Sequence, residues 1–149
     1  MAEILVTLRE LAQICRDGER LYGQAAAHMC NPRLREVADE VGRLRGELYR
    51  EFAALLSEHG LRLCDSGSFY GRLRKRYVAL RARFADRDRI YVFELENAED
   101  RLLHAMERAS LRPQAEEARA LLLRHMPAAR AAHERMRSLK RELAGEAVG

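Results

Sequence analysis

Apolar residues recur at helical spacing along most of this chain, and one stretch does so with a polar exception. In Val92–Met106, VFELENAEDRLLHAM, the residues Val92, Leu95, Leu102, Leu103 and Met106 share one stripe of a helix with about 3.6 residues per turn. That stripe also contains Glu96 and Glu99. Carboxylates on a core-facing stripe are costly unless they are paired, protonated or bound to a metal. What faces them is the main functional question.

The periodicity predicts an all-α chain. A first helix is expected from about Glu3 to His28. Its seam is Ile4, Leu8, Leu11, Cys15, Glu19, Tyr22 and Ala26, at steps of four and three residues in a repeated 4-3-4 pattern. Asn31 is placed to cap the next helix, with Pro32 at its first position. That second helix is expected to reach His59, with the seam Leu34, Ala38, Val41, Arg45, Leu48, Phe52 and Leu55. Val37, Leu44 and Leu56 widen its apolar face, which suits a bundle centre or a homodimer contact. Glu19 and Arg45 are the polar members of these seams. Gly60 is a natural stop.

Leu61–Gly71 reads as a loop. A shorter amphipathic helix is expected from about Phe69 to Phe84, surrounded by Arg72, Arg74, Lys75, Arg76, Arg81 and Arg83. Ala85–Asp88 reads as a break or kink, with Asp86 or Asp88 capping a helix from about Arg89 to Ser110. The last helix is expected from about Pro113 to Ala144, on the seam Leu122, Met126, Ala129, His133, Met136, Lys140 and Leu143. Pro127 is expected to kink it or to open a wide turn around Leu123, and the GEAVG tail to fray. The predicted architecture is one domain over residues 1–149, with its core at about 3–143. It is an up-and-down four-helix bundle whose third helix is split into two segments.

Composition narrows the function classes. The 149 residues carry 34% charged side chains, 6% aromatics, no Trp and a net charge of +4. Because arginines and glutamates are interspersed, this is a mildly basic surface and not a polyelectrolyte. The cysteines, Cys15, Cys30 and Cys64, are odd in number and lack a CxxC spacing, which argues against a disulfide framework or a structural zinc site. The opening MAEILVTLREL carries charge by its third residue and lacks the basic region of a signal peptide, and no apolar run reaches the ~18–20 residues that cross a bilayer. A cytoplasmic protein is expected.

Several local features together resemble an uncharacterised bacterial domain-of-unknown-function family of ferritin-like four-helix bundles. They are Cys15–Arg16–Asp17–Gly18 with Tyr22 and Ala25–Ala26, Arg45 with Leu48, Gly67–Ser68 with Gly71, Glu96–Asn97–Ala98–Glu99–Asp100, and His133. Their order and spacing over roughly residues 4–143 carry the resemblance. This chain has Lys75–Arg76 where the family has a His-Arg pair, and Ala98 where it has Gly. The resemblance implies a ferritin-like bundle with a long connection between its halves, and no particular activity.

Three chemistries compete. Di-iron bundles use Glu-x-x-His on two helices. None of His28, His59, His104, His125 and His133 has Glu three residues before it. Glu19, Glu96, Glu99 and His133 remain as possible ligands for iron, manganese or zinc, but Arg45 puts a fixed cation on the same seam. A buried ionic network of Arg45, Glu96 and Glu99, completed by Glu19 and His133, accounts for both the carboxylates and the arginine. It is the preferred reading. Anion binding by Arg72–Arg83, to nucleic acid or lipid, comes third. The expectation is a non-enzymatic structural or protein-interaction module with no cofactor. Its alternative is a metal-binding ferritin relative with an oxidoreductase or storage role.

Overall fold

A computed structural model of the chain describes residues 2–63, 84–112 and 116–148. These residues form four helices and no strand: α1 Ala2–His28, α2 Pro32–Glu58, α3 Phe84–Ser110 and α4 Glu116–Val148.

Local chemistry sets the helix ends. Pro32 opens α2, and the Asn31 side chain accepts a hydrogen bond from the Arg33 amide at 2.9 Å. At the other end Gly60 adopts φ 77°, so the Gly60 and Leu61 amides reach the carbonyls of Ser57 and Leu56, each at 2.9 Å. This left-handed closure satisfies carbonyls that the helix leaves open, and glycine enters it without a Cβ clash.

Three expectations about breaks are corrected. Ala85–Asp88 is not a break, because α3 runs unbroken from Phe84. Asp88 does not cap its own helix; its carboxylate accepts the Cys30 amide at 2.7 Å and the Asn31 amide at 2.9 Å. It thereby ties the start of α3 to the α1–α2 turn. Pro127 lies inside α4 without opening a turn, and the helix continues through the expected frayed end to Val148. Proline removes only one N–H, and the helix on either side supplies enough packing to carry through. The short helix expected to begin at Phe69 lies outside the described residues, which resume at Phe84, and the split expected at Ala85–Asp88 is absent because the helix is continuous there.

α1 packs against α2 and α3, and α4 against α3 and α2. The contacts give the directions. Tyr22 meets Glu99 and Cys30 meets Asp88, so α1 and α3 are antiparallel. Glu51 meets His125 and Glu40 meets Arg135, so α2 and α4 are antiparallel too. With each hairpin antiparallel, α2 and α3 run the same way on opposite corners of the bundle. The end of α2 and the start of α3 therefore lie at opposite ends.

The interior consists of two apolar clusters. One gathers Leu8, Leu11, Phe52, Leu102, Met106 and Leu122, and the other Tyr22, Met29, Val41, Tyr91, Leu95 and Met136. Val37 and Leu56 are buried inside these clusters, leaving only Leu44 of the flanking α2 residues exposed. The widened face that suggested a subunit contact is thus used within the chain.

Candidate functional site

Between the two clusters lies a charged layer. On α2, Arg45 falls between Val41 and Leu48; on α3, Glu99 falls between Leu95 and Leu102. Helical spacing therefore places both on the core faces of their helices, and they are 3% and 1% exposed. The guanidinium crosses the bundle diagonal and binds the carboxylate with two N–H groups. Arg45 Nε donates to Glu99 Oε1 at 2.8 Å, and Nη2 donates to Oε2. From α1 the Tyr22 hydroxyl donates to Glu99 Oε1 at 2.7 Å. Three helices thus meet on one carboxylate. A planar fork matched to a carboxylate gives geometric specificity that an ammonium lacks.

Glycines bring α1 and α2 close enough for this. A Cβ at Gly42 would lie 2.8 Å from Tyr22 Cβ, and one at Gly46 would lie 2.6 Å from Glu19 Oε1. The bare backbone at Gly42 leaves room for the Tyr22 side chain beside α2, from where its hydroxyl reaches Glu99.

Burial controls the electrostatics. It would lower the Arg45 pKa, but the hydrogen bonds and charge of Glu99 outweigh it and raise the value. Burial, reinforced by the negative charge of Glu99, holds the Tyr22 hydroxyl well above its ordinary range. Burial also pushes the neighbouring Cys15 thiol up to about 12. At neutral pH this layer contains a fixed ion pair, a protonated phenol and an unreactive thiol.

The other residues expected in the network sit elsewhere. Glu19 lies against Gly46, near Arg50 Nη1, and shares no hydrogen bond with Arg45 or Glu99. Glu96 lies three residues from Glu99, which turns it out of the core stripe and towards α4. There Lys140 Nζ donates to its Oε2 at 3.4 Å while lying 4.1 Å from the Phe93 ring centre. His133 Nε2 is 3.2 Å from Asp100 Oδ1 and 4.0 Å from Glu96 Oε1. The four metal candidates Glu19, Glu96, Glu99 and His133 therefore occupy three places. Both Glu99 oxygens are taken by Arg45 and Tyr22, so this donor set does not fit a metal centre in the core. Among the described residues, no three His, Cys, Asp or Glu side chains are grouped to hold a metal ion. Arg72, Arg74, Lys75, Arg76, Arg81 and Arg83, the anion-binding candidates, lie outside the described residues.

Over residues 3–111 the sequence matches the family described as Domain of unknown function (DUF2383). The chain belongs to that family. The DUF2383 match takes in α1, α2 and α3, and so Tyr22, Arg45 and Glu99, while α4 and its His133 fall beyond it. No curated protein and no solved structure matches the chain. Among the described residues no helix is long and apolar enough to cross a membrane.

Sequence reasoning missed Tyr22 as a member of the charged layer, although a signal was present. A tyrosine on a core seam needs a partner for its hydroxyl. It also missed the Asp88 clamp and the pairing of His125 with Glu51 between α4 and α2. No local spacing marks these, because each pair joins residues 57 or more positions apart.

Proposed function

We propose that this DUF2383 chain is a ferritin-like bundle working as a structural or protein-interaction module in the cytoplasm, with no chemistry of its own. The parallel course of α2 and α3, on opposite corners of two antiparallel hairpins, supports the ferritin-like reading. One observation carries the functional reading: the Arg45 guanidinium holds the central carboxylate of Glu99 with two hydrogen bonds. An internal cation thus occupies the carboxylate that a metal centre in the core would need. Buried ion pairs of this kind select one packing arrangement more than they add stability, and here the pair sets the register of three helices. Cys15 and Cys30 are free thiols, which suits a reducing compartment.

The test is elemental analysis of protein purified without a metal-affinity tag and equilibrated with Fe²⁺, Mn²⁺ or Zn²⁺. Metal far below one per chain, unchanged by Glu99→Ala, is the expected result. About one metal per chain that disappears in Glu99→Ala would overturn the proposal in favour of a metal-binding ferritin relative.

A further inference from the structure

Beside the buried layer, α3 and α4 enclose an open cleft of about 610 Å³ whose charged and polar lining includes Glu96, Asp100, His133, Arg137, Lys140 and Arg141. Its volume lies in the range of small-molecule sites, roughly 300–1,000 Å³. Its two walls carry opposite charge: the carboxylates come from α3 and the cations from α4.

Two features of the lining leave room for a ligand. His133 Nε2 is shielded from solvent and makes no hydrogen bond, even though Asp100 Oδ1 is 3.2 Å away. A buried polar atom left in that state is costly, and a correctly placed ligand atom would relieve the cost. Arg137 and Arg141 also have no carboxylate partner among the described residues. By contrast, Arg135 pairs with Glu40 and Lys140 with Glu96.

The two features lie in a line along the groove. Arg137 and Arg141 follow His133 by one and two helical turns, so the separation along the axis is about 6–12 Å. A single ion suits only one end: an anion is repelled by Glu96 and Asp100, and a cation by the arginines. We propose that this cleft binds a small elongated zwitterion. Its ammonium or other hydrogen-bond donor lies against Glu96, Asp100 and His133. Its carboxylate or phosphate lies against Arg137 and Arg141.

The probe is ε-aminocaproate, which carries both charges at this separation. Caproate and hexylamine keep one charge each, and an aminohexyl phosphate replaces the carboxylate. Each is titrated into the full ¹⁵N-labelled chain and followed by amide chemical shifts. The expected result is a saturable shift at Asn97, Asp100, His133, Arg137 and Arg141 with ε-aminocaproate. Binding of each single-charge probe should be weaker by about fivefold, the factor of a partly exposed ion pair. Asp100→Asn should remove the advantage over caproate, and Arg137→Gln with Arg141→Gln the advantage over hexylamine. An unchanged amide spectrum outside the cleft checks that each variant is folded. The aminohexyl phosphate comparison decides which anion the arginines prefer. Equal binding of single-charge and double-charge probes, shifts spread over other faces, or no saturable shift would overturn the proposal.

Discussion

Replacing Arg45 by Met tests the central layer most directly. Methionine keeps much of the length and apolar stem of the arginine and removes its N–H groups. Glu99, 1% exposed, then retains one hydrogen bond, from Tyr22, in place of three. Removing one partner of a buried pair costs about 3–5 kcal/mol, because the remaining charge stays desolvated. That is a large share of the roughly 5–15 kcal/mol that holds a domain folded. For a chain of this size it corresponds to a melting temperature lower by roughly 6–20 °C. Urea unfolding followed by far-ultraviolet circular dichroism measures it as a lower midpoint at unchanged slope. Adding Glu99→Met removes the stranded charge, and Tyr22→Phe then removes the hydroxyl left without an acceptor. The triple variant should return to within about 1 kcal/mol of the parent, since well-packed apolar groups replace buried ion pairs at little cost. A loss below about 1 kcal/mol in Arg45→Met, the level of an exposed pair, would refute the reasoning. So would a triple variant as unstable as the single one.

Two further predictions rest on the same layer. Gly42→Ala drives a methyl group to 2.8 Å from Tyr22 Cβ and should destabilise by about 1–3 kcal/mol, whereas Gly23→Ala meets nothing within 4 Å and should stabilise by up to about 1 kcal/mol; thermal melts of the two variants should move in opposite directions. Stability should also fall in alkali. Burial raises the Cys15 thiol to about 12 and the Tyr22 hydroxyl in the same direction, so the Cys15 contribution is complete below about pH 9 and fades as pH rises towards 12. Within that window the unfolded Cys15 thiol ionises while the folded one does not, which weakens folding by about 1.4 kcal/mol per pH unit. Urea midpoints measured across the window for the parent and Cys15→Val should show a shallower decline in the variant, and an equal decline would refute the assignment.

Much of the architecture follows from periodicity alone. Apolar residues at helical spacing place α1, α2, α3 and α4, and the Asn31–Pro32 pair and Gly60 mark ends that the backbone adopts. Arg45 and Glu99 could be assigned to core faces because their neighbours along each seam are apolar. Periodicity reports the face of a helix and not the residue opposite it. Glu96 and Glu99 fit one stripe equally well, yet packing sends Glu99 to the centre and Glu96 to the α4 groove. A few tens of degrees in helix rotation decide between those fates, and the rotation is set by how all four helices pack together. Tyr22, Asp88 and the His125–Glu51 pair were hidden for a related reason: their partners are distant in sequence, and only the closed bundle makes them neighbours. The sequence alone marked the four described helices and placed Arg45 and Glu99 on core faces. The tertiary structure decided which charges meet, because hydrogen bonding acts over about 3 Å, and that precision exists only once the helices are docked.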